Sequence, residues 1–248
     1  MSNIIKAFLI AGFFVALLGP SHADQVEPFG IHTVPINAGG LAEIWLSLKQ
    51  QLYSGDVETI TSCSSGQTNE CAAASKLLTI VKQARQYQGK AFLGHLNRSI
   101  NLLIKSGPGK WASALDALEL GVGDCKAYAV TKYVALLVAG IPPDQIRLVA
   151  VHKRLGNEDH LVVAVRQDDQ WLILDNLHHL ILQASEEVDY EPLYVLDDTG
   201  VRQNVSLGEL NQSHPTASKG HQGGMAYVRC NSLGSLAIFA AIRRALPP

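Results

Sequence analysis

Charge is scarce in this chain and nearly balanced. Asp, Glu, Lys and Arg make up 17% of the 248 residues, and the formal net charge is −2. No basic surplus therefore points to a nucleic acid or an anionic membrane surface as partner. Long apolar runs are also missing. Residues 7–18 form the main one, well short of the roughly 20 residues that cross a bilayer. The stretch 233–246 carries Arg243 and Arg244 and reads as a terminal helix packed on the body. There is no internal repeat and no low-complexity tract. Cysteine is limited to Cys63, Cys71, Cys125 and Cys230, and none follows the apolar run, so nothing marks a lipid-anchored chain. What is present is a 47% hydrophobic composition, enough for a core that folds without help from a metal or disulfide.

The N-terminus has the pattern of a signal peptide over residues 1–23. Lys6 supplies a positive start and residues 7–18 the apolar stretch. Gly19-Pro20 ends it, and Ser21-His22-Ala23 places small residues before Asp24. The expectation is export to the periplasm or beyond, where disulfides form. Cys63 and Cys71 flank a polar, glycine-containing turn and are the obvious pair, although spacing alone cannot fix connectivity. Cys125 and Cys230 remain. Pairing those two is the competing arrangement, and it would occupy the thiol on which any catalytic reading depends.

Residues 24–75 read as an extended, Pro- and Gly-containing lead-in followed by one helix (42–52) and the Cys63–Cys71 loop. Residues 76–248 read as the main domain. Apolar residues recur at helical spacing over 72–87, 92–104 and 111–120, and most strongly over 126–139, which Gly140 and Pro142-Pro143 end. The period then changes to that of strands at 146–151, 160–166 and 171–174. Gln167-Asp168-Asp169-Gln170 is a polar turn that joins the last two as a hairpin. Weaker strand signals lie at 180–182, 193–196 and 227–229, with a loop at 220–224. Helices first and consecutive antiparallel strands after predict an α+β fold, with helices packed on one sheet.

Within this order, Gly121-Val122-Gly123-Asp124-Cys125 leads straight into the strongest helix. A thiol at a helix N-terminus is favoured as thiolate by the unpaired N–H groups and the positive dipole end. The same N–H groups can face the oxyanion of a tetrahedral intermediate. His160 follows on one strand and Asp175 at the end of the next. His160 would act as base and then acid, and Asp175 would orient the imidazole. Across a hairpin with an even loop, opposite residues have position numbers with an odd sum. His160 and Asp175 meet that condition and should share a sheet face. Each residue singly has a bland reading: a buried cysteine, a structural histidine, a strand-ending Asp175-Asn176 turn. His178-His179 lacks acidic or thiol partners at ligand spacing and reads as surface. His152 reads as structural, the 157–159 loop as solvated, and Trp111 as core.

Three blocks make the chain resemble the bacterial transglutaminase-like cysteine proteinases. They are Trp111 to Leu115 leading to Gly121-Val122-Gly123-Asp124-Cys125 with Tyr128, Ala129, Lys132 and Tyr133 behind; Asp159-His160-Leu161-Val162-Val163; and Leu172-Ile173-Leu174-Asp175-Asn176-Leu177. The resemblance spans about residues 76–200. It implies a papain-like or transglutaminase-like fold, a thiol peptidase with Cys125, His160 and Asp175 as its triad, and a periplasmic location. It also implies a protein substrate, a surface adhesin cut near paired alanines, and restraint by an inner-membrane receptor. No cofactor is required for the chemistry itself. Calcium supports the best-known members through acids on both sides of the nucleophile. Asp124 matches that pattern, but Lys126 replaces the second acid, and an ammonium opposes a bound cation. Transfer of the acyl group to an amine, or a binding module that kept the fold without the activity, are the alternative functions.

Overall fold

The computed structural model describes residues 26–64, 71–205 and 230. The expected signal peptide, the tip of the Cys63–Cys71 loop, the strand at 227–229, the loop at 220–224 and the helix at 233–246 all lie outside the described residues. The described part is α+β, as expected. Six helices precede or interrupt the strands: α1 (Gly40–Gln51), α2 (Glu58–Ser64), α3 (Ala72–Ala84), α4 (Gly89–Leu103), α5 (Ala114–Leu120) and α6 (Cys125–Val138). A widened turn, Leu52–Val57, joins α1 to α2.

The main sheet is antiparallel throughout. Its strands are β1 (His32–Ile36), β4 (Ile146–Lys153), β5 (Glu158–Gln167), β6 (Gln170–Leu174), β7 (Leu182–Gln183), β8 (Tyr190–Asp197) and β9 (Gly200–Val205), in the order β1-β9-β8-β4-β5-β6-β7. A separate parallel pair, β2 (Lys105–Ser106) and β3 (Val122–Gly123), sits just before α6. The extended lead-in thus supplies an edge strand, β1, on β9. Residues 40–64 add Leu41, Trp45, Leu48, Leu52 and Ile60 to the same core as α6.

Sheet alternation sorts the apolar side chains into two layers. Leu148, Ala150, Leu161, Val163, Val165, Leu172 and Leu174 pack with the helices. Val149, Val151, Val162, Ala164, Trp171 and Ile173 form a second cluster, against which Phe29 of the lead-in packs. The β5–β6 hairpin turns on two residues, with Asp168 at φ 51° and Asp169 at φ 59°. Aspartate tolerates the left-handed conformation that a tight hairpin turn demands. The register pairs Val163 with Leu174 and Gln167 with Gln170, the even-loop parity expected from sequence.

α6 is the central helix. Every residue from Cys125 to Leu136 is buried, because the helix lies against β4 and β5 on one side and α3, α4 and α5 on others. Such enclosure requires an apolar surface all round, which Ala127, Ala129, Val130, Val134, Ala135 and Leu136 supply.

Around the sheet edge, Asp197 anchors a buried ion cluster. Its Oδ2 lies 2.9 Å from Arg147 Nε and 2.7 Å from Arg202 Nη2. Glu27 reaches both guanidinium groups, at 3.3 and 2.8 Å. This cluster ties the lead-in to β4, β8 and β9. Arg147 also stacks over the Trp171 ring, 5.3 Å from its centroid.

Candidate active site

The turn before α6 is built by its glycines and its cap. Gly121 closes α5 at φ 64°, where only a residue without Cβ is unstrained. Gly123 packs so closely on α6 that a Cβ there would stand 2.3 Å from that of Ala127. Asp124 is the N-cap, its Oδ1 accepting from the Lys126 N–H at 3.0 Å. Cys125 is therefore the first residue of the helix, 3% exposed. The cap takes Lys126's N–H, so that donor is already occupied.

The hairpin brings His160 and Asp175 together. His160 Nε2 lies 2.7 Å from Asp175 Oδ1, and both side chains are buried. This is the shared face that the parity of their numbers predicted. The Leu177 N–H also donates to Oδ1, at 3.0 Å. The Tyr190 hydroxyl of β8 donates to Oδ2. Asn101 of α4 holds the Asp175 carbonyl at 2.8 Å through Nδ2. Burial alone would push the Asp175 carboxyl up. The hydrogen bond and charge of His160, with the Leu177 N–H and the Tyr190 hydroxyl, overcome this and hold it well below the usual carboxylate range. Burial, then the neighbouring Asp175 carboxylate, push Tyr190 above its ordinary value, so it stays a neutral donor.

Lys132 lies seven positions after Cys125 on α6, wholly buried. Burial brings its ammonium down to about 7, against the opposing pull of Asp175. Tyr190 and Asn101 were not singled out from sequence. They reach Asp175 from β8 and α4, and no local pattern links a residue on those elements to the β6 end. The weak strand signal at 193–196 was the sole trace of β8.

The other residues weighed from sequence fall outside this cluster. His152 is held by Asp159 at 3.1 Å and Asn157 at 3.2 Å, a local link on the β4–β5 turn. His178 contributes its carbonyl to Asn97 Nδ2 at 2.9 Å, and His178 and His179 are exposed. Trp111 is partly buried and packs against the core.

The cysteines pair in both of the ways raised from sequence. Cys63 bonds Cys71. Cys125 bonds Cys230. The expected free thiol at Cys125 is therefore absent in this form of the chain. Its sulfur is bonded to Cys230 and, among the described residues, makes no hydrogen bond to His160. Thiol chemistry at this helix end is open to the reduced chain alone.

The model of the bacterial transglutaminase-like cysteine proteinase (BTLCP) family matches residues 57–208, more than half of the sequence. The chain belongs to that family. It is a cysteine peptidase of transglutaminase-like type, with the corresponding α+β fold. Among solved structures it is similar to calcium-bound LapG of Legionella pneumophila, at 25% identity and a TM-score of 0.50, covering 59% of this chain and 87% of that one. EGTA-treated LapG from the same organism matches at 24% identity and a TM-score of 0.50, covering 60% and 86%. No curated protein sequence matches this BTLCP member.

Calcium in that neighbour raises the question of whether this BTLCP chain can hold it. At the turn before Cys125 the two oxygens of Asp124 are already engaged. Oδ1 accepts from the Lys126 N–H and Oδ2 from Lys126 Nζ, 2.5 Å away, with both side chains buried. An ammonium there repels a divalent cation and supplies the counter-charge itself. No group of three or more His, Cys, Asp or Glu suited to a metal occurs among the described residues. The turn does not fit calcium. The melting temperature should therefore be unchanged between millimolar calcium and EGTA. Differential scanning fluorimetry reads this, and a calcium-dependent melting temperature would overturn the point.

Proposed function

We propose that the reduced chain hydrolyses peptide bonds in an exported protein, with Cys125 as nucleophile, His160 as base and then acid, and Asp175 as the residue that orients it. The observation that carries this reading is the buried His160–Asp175 pair on the β5–β6 hairpin, with Cys125 at the start of α6, the helix that packs on β5. A buried carboxylate–imidazole pair is costly to desolvate and adds little stability over apolar packing, but it suits a histidine that must become charged during a reaction.

With Nε2 engaged by Asp175, Nδ1 is the nitrogen left to take the thiol proton. The α6 dipole favours the resulting thiolate. Attack on a carbonyl forms a tetrahedral intermediate, and its collapse expels an amine that receives the proton from His160. The acyl group stays on Cys125 until water, activated by the same imidazole, releases it. Through both charged stages Asp175 remains an anion, since its carboxyl sits far below neutral pH and Tyr190 and the Leu177 N–H hold it in place.

The substrate class rests on the family resemblance: a cell-surface adhesin cut near paired alanines, with an inner-membrane receptor restraining the enzyme in the periplasm. The signal-peptide pattern supports that location, and no helix among the described residues is long and apolar enough to cross a membrane. An Ala-Ala acyloxymethyl ketone tests the reading. With the chain fully reduced, it should label Cys125 and no other cysteine. His160→Ala should cut the labelling rate by about 10²–10⁴-fold, the usual worth of a general base. Labelling that is unaffected by His160→Ala, or that fails on the reduced chain, would overturn the triad.

A further inference from the structure

We infer that the Cys125–Cys230 disulfide is a redox latch on the active site, opened by a dithiol reductant. This rests on the assignment of Cys125 as nucleophile and adds to it the control of that nucleophile. The structure joins the first residue of α6 to a cysteine 105 positions later in the chain. A bond that serves stability alone has no need to consume the one cysteine placed at a capped helix N-terminus, and Cys63 and Cys71 already make a separate disulfide.

The two sulfurs are not equivalent. Cys125 is buried, whereas Cys230 is only partly buried at the edge of the core. Cys230 is thus the less enclosed of the two, and the one we assign to attack by an incoming thiolate. Lys126 Nζ lies 3.8 Å from Cys230 Sγ, a cation beside the point of attack. On the other side of the bond, Cys125 is the better leaving group. A thiol whose anion is stabilised departs faster, and the helix end that favours the Cys125 thiolate also favours its departure.

The exchange balances as follows. One thiolate of the dithiol attacks Cys230 Sγ, the sulfur–sulfur bond breaks, and its electron pair leaves on Cys125 as thiolate. The reductant is then held on Cys230 as a mixed disulfide. Its second thiol loses a proton and attacks its own bound sulfur, releasing Cys230, which takes up a proton. The protein disulfide gains two electrons, the dithiol becomes a cyclic disulfide, and the Cys125 thiolate is delivered in the state the hydrolysis requires.

The test uses the mature chain purified without reductant, mapped by mass spectrometry and treated with iodoacetamide at pH 6. The latch predicts a Cys125–Cys230 cross-linked peptide and a Cys125 alkylation rate at least 100-fold lower than after treatment with dithiothreitol. Cys230→Ser should be alkylated at Cys125 at the fast rate with no reductant. A chain lacking Cys63 and Cys71 should keep the full dependence on dithiothreitol, which separates the two disulfides. Fast alkylation of Cys125 in the untreated chain, or no cross-linked peptide, would overturn the latch and leave the peptidase reading standing. A cross-linked peptide with slow alkylation in both the reduced chain and Cys230→Ser would instead overturn the activated nucleophile, and the latch's role with it. Cys230→Ala gives a second route to the open state should the serine variant fold poorly.

Discussion

Asp175→Ala is expected to lower kcat by about 10⁴-fold on a peptide substrate, the scale seen when the orienting acid of a triad is disabled. The physical reason lies in three donors that converge on one carboxylate. Without it, His160 loses its partner at Nε2, and on the proposed mechanism the imidazolium loses its counter-charge. The Tyr190 hydroxyl is left buried without its acceptor. Breaking a buried charged pair on one side costs about 3–5 kcal/mol, so thermal melting should fall by roughly 10 °C for a chain of this size. Asp175→Asn separates the two effects. It keeps the side-chain volume but loses the counter-charge and can present the wrong tautomer to His160, so melting should stay nearer the wild type while activity falls on the same scale of about 10⁴-fold. Activity of either variant close to that of the wild type would remove Asp175 from the orienting role.

The second large effect is on stability and lies away from the thiol. Asp197→Ala should destabilise the chain by about 3–5 kcal/mol, because it leaves Arg147 and Arg202 with Glu27 as their one ion-pair partner among the described residues. Burial would raise the Asp197 carboxyl, but the Arg202 hydrogen bond, the Arg147 charge and Thr199 prevail and hold it below its ordinary value. Asp175 is depressed in the same direction. A depressed folded-state carboxylate binds fewer protons than the unfolded chain in acid, so its stabilisation is complete above the unfolded value near pH 4 and drains away as pH falls below it. Urea unfolding of the wild type should weaken steeply from pH 4 downward. Asp197→Ala should start lower and lose less over that interval. Parallel curves for the two proteins would show that Asp197 carries no such linkage.

The hairpin shows how far sequence reasoning reaches. Asp168-Asp169 is a local turn signal, strand alternation has period two, and parity then places His160 and Asp175 on one face before any coordinate is known. α6 is equally legible, since a capped start, an apolar body and a Gly-Pro stop are all local. The lead-in is a different case. Its extended character is visible, but its pairing with β9 and the reach of Glu27 to Arg147 and Arg202 depend on strands more than 100 residues away.

Local chemistry alone determined the α+β class, the helix-borne cysteine and, given an even and unbulged hairpin loop, the shared face of His160 and Asp175, because caps, turns and strand periodicity act over a few residues. The tertiary structure decided which groups surround them. It brought Tyr190 and Asn101 onto Asp175, buried Lys132 along the helix that Cys125 starts, set Lys126 against Asp124, and joined Cys125 to Cys230. Each of those contacts depends on how distant elements pack in space or, for Lys126, on which way a side chain turns within a shared turn. Neither is written in residue type or spacing.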